Sequence, residues 1–360
     1  MTSVKKAIQN FGLPRTIILV FFLILILLAA VNNMDIATLL GDVLRRWGMY
    51  GILVLAMVPA IQCGIGPNFG VTIGIVGGLV GALISIELRN NGMYAALAGS
   101  PTLDAMVAAV VAIILGLIIS SVFGILYGLL LNRVKGSEMT VSTYVGFSIV
   151  ALFNIMWLTL PFKSPTSIWP LGGEGLRNTI SLEGEFSNVF NNFLGFYIGK
   201  FYVPTGLILL FAICCLAIWL FTRSRTGMMM TAAGNNPVYA KAAGINVNKM
   251  RILGTTVSTA LGGVGIICYA QSFGFLQLYN APQMMGFSCV ASVLIGGATI
   301  GRAKIVNVLL GTFLFQGILT VALPVANVIL PEGNLSEILR IIISNGIILY
   351  ALSKSKGAEK

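Results

Sequence analysis

Residues 222–251 read TRSRTGMMMTAAGNNPVYAKAAGINVNKMR. The run carries basic side chains at Arg223, Arg225, Lys241, Lys249 and Arg251, no acid, and a high share of Gly and Ala. Long apolar stretches flank it on both sides, so it is a polar interruption in an oily chain. A protein that is mostly buried in lipid has little surface on which a water-soluble partner can dock, and this segment, 222–251, is the best candidate for that surface. Within it, Gly234-Asn235-Asn236-Pro237 starts a short helix, with Pro in the first turn where its missing N–H costs nothing. Val238-Tyr239-Ala240-Lys241-Ala242-Ala243 continues the helix and Gly244 ends it. An ordinary basic loop would not need Gly and Pro at both ends with Ala between.

Composition fixes the solvent of the rest. Of 360 residues, 57% are hydrophobic and only 9% are charged, against roughly 25% charged in a soluble domain. The 42 Gly suit closely packed membrane helices. There is no His, which removes the commonest general base and metal ligand. Cys63, Cys214, Cys215, Cys268 and Cys289 sit in apolar runs without metal-ligand spacing, as small packing residues do. No metal site or cofactor is expected. The net charge of +11 is spread in short clusters between apolar runs, which points to a membrane topology signal and away from nucleic acid.

A span needs about 20 apolar residues. That rule predicts an all-α polytopic membrane protein in one domain, 1–360, with about ten transmembrane helices near 16–32, 48–63, 67–86, 104–131, 140–160, 201–221, 252–270, 285–300, 305–323 and 337–352. The first, although preceded by Lys5, Lys6 and Arg15, lacks a small-x-small cleavage site and reads as a retained helix. The second and third are separated only by Gly64-Ile65-Gly66, followed by Pro67, so a broken helix is expected near 64–70; such breaks in a span are tolerated only where protein or a water-filled cavity satisfies the freed backbone. With the N-terminus inside and strict alternation, fifteen of the 22 Lys and Arg and two of the 11 acids fall inside. The other side keeps seven basic and nine acidic residues. This asymmetry puts both termini and residues 222–251 in the cytoplasm. Arg45 and Arg46 are the local exception, offset in part by Asp42. The polar insert 161–200 is an external loop expected to carry a short amphipathic helix.

Catalytic patterns are absent: no GxxxxGK[ST] loop, no GxSxG and no HExxH. The chain is therefore expected to be no enzyme, with no catalytic residues, and any ATP hydrolysis must belong to another chain. The acids Asp35, Asp42, Glu87, Asp104, Glu138 and Glu332 cluster at span ends, which argues against an ion-coupled carrier. The spans instead hold neutral polar groups. Asn68, Thr72, Ser142, Thr143, Asn154, Gln271, Ser288, Ser292 and Gln316, with the aromatics Phe69, Tyr144, Trp157 and Phe287, could line a path for an uncharged, hydroxyl-bearing solute. For any one of them an interhelical hydrogen bond is the stronger expectation, because polar side chains glue membrane helices together.

A family resemblance rests on these residues. Arg225-Thr226-Gly227, then Ala233-Gly234-Asn235-Asn236-Pro237, then Ala240-Lys241-Ala242-Ala243-Gly244-Ile245-Asn246-Val247 resembles the coupling segment of ABC importer permeases of the ribose/galactose/xylose class. Ala291-Ser292-Val293-Leu294-Ile295-Gly296-Gly297-Ala298-Thr299-Ile300-Gly301 and Gly311-Thr312 are similar to that family's second motif and the helix after it. Gly124 to Leu130, followed by Val141-Ser142-Thr143, is similar to an earlier one. Where sugar permeases carry Gly-Ile-Asp-Leu-Ser-Val-Gly, this chain has Gly64-Ile65-Gly66-Pro67-Asn68-Phe69-Gly70. The resemblance implies a permease subunit in a bacterial cytoplasmic membrane, working with ABC ATPase subunits, an extracytoplasmic solute-binding protein and a second permease subunit within the lipid bilayer. ATPase coupling would fall to Gly234, Asn235, Asn236, Pro237, Tyr239, Ala240, Ala243, Gly244 and Ile245. The expected solute is a monosaccharide; related branches carry nucleosides, furanose signals or branched-chain amino acids.

Overall fold

The computed structural model describes residues 12–94, 100–169, 175–279 and 281–329, together with 338, 341–342 and 345–349. Its helices are α1 (Leu13–Val31), α2 (Ile36–Leu55), α3 (Met57–Gln62), α4 (Val71–Asn90), α5 (Pro101–Arg133), α6 (Glu138–Thr159), α7 (Val189–Asn192), α8 (Thr205–Arg223), α9 (Arg225–Asn235), α10 (Pro237–Ala242), α11 (Val247–Phe273), α12 (Ala281–Ile295) and α13 (Ile305–Ile329). Four three-residue strands are the only sheet among the described residues: β1 (Thr179–Ser181), β2 (Phe196–Ile198), β3 (Phe201–Val203) and β4 (Phe275–Gln277).

Seven helical segments are long and apolar enough to cross a membrane, α2 with α3 counting as one, Ile36–Gln62. Arg15–Val31 and Pro282–Ile295 are shorter apolar helices. These nine match the first nine expected spans; half of the tenth, 337–352, lies outside the described residues. The second span departs most. It begins at Ile36, twelve residues before the expected 48, because Asp35 caps it: its Oδ1 accepts from the N–H of Ala37 at 3.2 Å and of Thr38 at 3.4 Å. Arg45 and Arg46, expected in an external loop, are thereby carried into the bundle on α2. The expected break is present after α3, with left-handed backbone at Gly64 (φ +83°) and Gly66 (φ +90°).

The helices form two populations. Over their most apolar eighteen residues, Val71–Asn90 is 78% buried while Thr205–Arg223 is 22% buried. The inner helices α4, α5 and α11 approach through glycine. A Cβ on Gly81 would lie 2.6 Å from the Cα of Gly116 on α5, and one on Gly78 would lie 2.8 Å from the Cα of Gly263 on α11. Backbones this close gain dispersion along the whole crossing, which is what drives association where lipid removes the hydrophobic incentive. Ser120, fully buried in this layer, donates to the Gly74 carbonyl at 2.8 Å. The outer helices α6 and α8, and the other face of α5, turn Leu117, Val122, Leu126, Leu152, Ile155 and Leu216 outward, the side chains lipid accepts.

Chain direction sorts the loops onto two ends. One end holds the break at 63–70, the 133–138 turn, 223–247 and 296–305, and it is basic. The opposite end holds the starts of α2 and α5 and the insert 161–204. That insert is more than a surface loop. Leu176, Ile180, Leu182 and Phe186 are at most 1% exposed, and β1 pairs with β4 antiparallel, Ile180 opposite Leu276. The β2–β3 hairpin turns at Gly199, where Lys200 pairs with Asp35 at 2.9 Å. Its helix, α7, has only four residues. Arg89 ties the same end together, bonding Asp104 at 2.6 Å and Glu185 at 3.2 Å.

Candidate functional site

Two places carry the candidate residues: the basic end around α9 and α10, and the bundle interior.

At the basic end the local sequence builds a short exposed helix. Asn236 caps α10, its Oδ1 accepting from the Tyr239 N–H at 3.0 Å. Pro237 occupies the first turn. Gly244 (φ +79°) ends it, and the Ile245 N–H returns to the Ala240 carbonyl at 2.9 Å. Ala240 is the buried side; Val238 and Tyr239 are 81% and 71% exposed. Asn235, Ala243 and Gly244 are exposed and Ile245 is partly so. A groove of about 1030 Å³ runs along α10, lined by Lys135, Val238, Lys241, Gly244, Ile245 and Asn248 among others. Its floor is braced: Lys135 Nζ donates to Asn248 Oδ1 at 2.8 Å, and Arg251 pairs with Glu138 at 2.5 Å and donates to Asn132 Oδ1 at 3.1 Å.

Gly234 behaves differently from its neighbours. It faces inward, against the break after α3. A Cβ there would overlap the Gln62 carbonyl and lie 2.7 Å from the Gly64 N, while a Cβ on Gly64 would lie 2.9 Å from the Gly234 Cα. The two glycines form a backbone-to-backbone joint between α9 and the α3 end. The sequence grouped Gly234 with the exposed residues of α10; geometry places it one layer beneath them.

The interior polar residues separate into five groups. Asn68, 1% exposed, spends its amide on protein: Nδ2 donates to Ser258 Oγ at 2.8 Å, and Oδ1 accepts from Tyr127 at 3.1 Å. Gln271 is likewise occupied, its Oε1 accepting from the Phe190 N–H at 3.2 Å. Thr143 and Ser292 bond back to carbonyls of their own helices, at Met139 and Ser288, and Ser142 also bonds Met139. Phe69 and Thr72 come together with Phe287 where α4 meets α12; the Phe69 and Phe287 rings are 5.3 Å apart, with Phe147 6.1 Å from Phe287. Asn154 Oδ1 and, one turn on, Trp157 Nε1 are buried with no partner among the described residues.

The fifth group lines a cavity. Ser288 and Gln316 open onto a space of about 400 Å³ together with Arg46, Tyr50, Tyr269, Gln277, Met284, Met285 and Asn345. The Tyr50 and Tyr269 rings meet edge to face, 5.1 Å between centroids. This volume lies in the range of small-molecule pockets. Sequence reasoning missed Arg46, Tyr50 and Tyr269. The signal for Arg46 was Asp35, a cap residue directly before a periodic apolar run, which extends the helix back across both arginines.

Comparison with known proteins gives a consistent result. Residues 39–351 match the family model described as branched-chain amino acid transport system / permease component. The chain is similar to the probable ABC transporter permease protein YphD of Escherichia coli (strain K12), 29% identical over 154 residues, 42% of this chain and 46% of that protein. It is 32% identical over 119 residues to the nucleoside ABC transporter permease protein NupC of Lactococcus lactis subsp. cremoris (strain MG1363), 32% of this chain and 38% of the relative. It is 28% identical over 126 residues to the fructose import permease protein FrcC of Rhizobium meliloti, 33% of each. The chain spans less than half the length of these curated relatives. No solved structure matches.

Proposed function

The chain belongs to the branched-chain amino acid transport system / permease component family, and from that premise we propose that it is the membrane-spanning subunit of an ATP-binding-cassette importer for a small polar solute, most plainly a monosaccharide. Relatives named for fructose, for nucleosides and for autoinducer 2 support a solute of that size and polarity. The excess of Lys and Arg at the basic end supports placing it in the cytoplasm, with both termini on that side of a bacterial inner membrane. ATPase subunits dock on α10, a solute-binding protein docks on the opposite end, and a second permease subunit completes the pathway.

The observation that carries this reading is α10 with its glycine joint. Exposed Val238 and Tyr239 on a capped helix, with small Ala242 and Ala243 beside them, give a soluble partner an apolar foothold at the edge of an otherwise lipid-buried protein. Behind it, Gly234 rests on the Gln62–Gly64 backbone. A push on α10 therefore reaches the end of the α2–α3 span without passing through flexible side chains. The permease does no covalent chemistry. Its task is to make two ATPase states favour two arrangements of the bundle, a coupling free energy between sites.

The test uses the full chain co-expressed with its cognate ABC ATPase. Val238→Asp and Tyr239→Asp should abolish co-purification of the ATPase while the permease still inserts and elutes as a single species. Retention of the ATPase by both variants would remove α10 as its dock. Gradient-driven uptake by this chain alone in proteoliposomes would remove the importer assignment altogether.

A further inference from the structure

Arg46 is the one charged side chain among the described residues that line the 400 Å³ cavity. It sits about 15 Å along α2 from the capped end, at 1.5 Å per residue, inside the segment Ile36–Gln62 that is long and apolar enough to cross a membrane. Asp42, the nearest acid in sequence, is already paired with Arg45 at 3.1 Å. Among the described residues no carboxylate, hydroxyl or carbonyl bonds the Arg46 guanidinium. A cation at this depth is costly, and where it occurs it pairs or lines a pathway. Its cavity neighbours are neutral hydrogen-bonding groups, the Tyr50 and Tyr269 hydroxyls, the Gln277 and Gln316 amides and the Ser288 hydroxyl, with Met284 and Met285 as an apolar wall.

Building on the permease reading, we propose that this cavity is a solute site and that the solute carries an oxyanion, a carboxylate or phosphate, on a hydroxylated body: an acidic sugar derivative in place of a neutral sugar. The guanidinium fork matches two oxygens of such a group at once. The Tyr, Gln and Ser groups donate to and accept from hydroxyls, and the thioethers cover the ring carbons. A zwitterionic amino acid fits less well, because the described lining offers no carboxylate for its ammonium group.

The experiment uses the full chain in lipid nanodiscs, with thermal unfolding followed against potassium gluconate, glucose 6-phosphate, glucose and potassium chloride at matched ionic strength. The expected result is half-saturation by gluconate or glucose 6-phosphate at a concentration at least tenfold below that of glucose, with no saturable effect of chloride. Which anion leads distinguishes carboxylate from phosphate. Arg46→Gln should erase the tenfold preference, and Arg46→Lys, which keeps the charge and loses the fork, should retain part of it; together they guard against a variant that merely misfolds. Equal response to glucose, equal response to chloride, no response to either anion, or an unchanged preference in Arg46→Gln would each overturn the proposal. Glu337 stands four residues before Ile341 in sequence, outside the described residues, so Glu337→Gln is a necessary arm. If it sharpens anion binding tenfold, Arg46 is neutralised by the chain's own carboxylate and the proposal falls. ATP-driven uptake of neutral glucose that Arg46→Gln leaves unchanged would sink this inference and leave the permease reading intact. Gradient-driven uptake by the chain alone would sink the permease reading instead.

Discussion

Replacing Gly234 with Ala tests the joint between α9 and the break after α3. Two terms oppose each other. Ala in place of Gly within α9 gains about 1 kcal/mol of helix propensity. The added methyl, however, meets backbone and not a side chain that could swing away: the Gln62 carbonyl and the Gly64 N, the latter at 2.7 Å. Ordinary contact needs roughly 3.5–4.0 Å, and the carbonyl is the closer of the two atoms, so the two segments must part by more than about 1 Å. Overpacking of this kind costs about 1–3 kcal/mol. Net stability thus changes by no more than about 2 kcal/mol, and the protein folds. Coupling is affected more, because the parted segments no longer bear directly on one another. Coupling energies of about 1–3 kcal/mol correspond to 5–150-fold, so loss of the contact should lower solute-stimulated ATP hydrolysis at least about fivefold. The assay is ATP hydrolysis by the proteoliposome-embedded permease–ATPase complex, with and without solute-loaded binding protein. Gly301→Ala, where an added Cβ meets nothing within 4 Å, is the control. Gly64→Ala should do more harm than Gly234→Ala, since its left-handed backbone adds about 1–2 kcal/mol for an L residue. Full coupling in Gly234→Ala, or equal loss in Gly301→Ala, would refute the joint.

Three further outcomes follow from the packing. Glu138→Gln strips the Arg251 guanidinium, 9% exposed, of its anion; a broken buried pair costs about 3 kcal/mol, and Arg251→Met in the same chain should recover part of it in thermal unfolding. Ser120→Ala loses the bond to the Gly74 carbonyl for about 1 kcal/mol, whereas Ser120→Leu cannot fit between α4 and α11 and should abolish folded yield. The hydrogen bond from Lys200 holds the Asp35 carboxyl below its ordinary range, so the pair's contribution is complete above the unfolded-state value and is lost as pH falls through the lowered one. Asp35→Asn keeps the helix cap and, the pair being exposed, should leave unfolding at neutral pH almost unchanged while flattening its acid limb.

The membrane class, nine of the spans and the α10 caps were legible because each depends on local chemistry. Apolar length, a Pro in a first turn and a Gly at a left-handed end are properties of neighbouring residues. What sequence could not assign was the use of each polar side chain inside the bundle. Asn68 looked like a solute ligand, yet its partners Tyr127 and Ser258 are 59 and 190 residues away, and only tertiary packing reveals that its amide is spent. Gln316 and Ser288 looked no different in sequence and line the cavity. Arg46 was misplaced for another reason: hydropathy alone began the second span at 48, after the arginines, and let two charges outweigh the cap at Asp35. The burial of the insert 161–200 was hidden because β1 finds its partner, β4, some ninety residues on.

The α2–α3 span links the two candidate sites, and this bears on how an importer built on this chain would work. Just past its far end stands Gly64, in contact with Gly234 beneath the proposed dock; its middle carries Arg46 and Tyr50 in the cavity wall. Between them lie Ile52 to Met57, all at 0% exposure, so the span is gripped over its whole inner half. A close-packed interior transmits a displacement instead of absorbing it. Under the proposed function, movement of α10 by the ATPase would therefore shift Arg46 relative to Ser288 and Gln316, which stand on α12 and α13. Separating the guanidinium from those groups would weaken the hold on an oxyanion at the moment the ATPase acts, which is what release requires. The double-mutant cycle of Gly234→Ala with Arg46→Gln examines this directly. If the two sites communicate through α2, their effects on solute-stimulated hydrolysis should fall short of additivity by at least threefold; independent, multiplicative losses would mean that α2 is a passive strut and that the signal travels elsewhere.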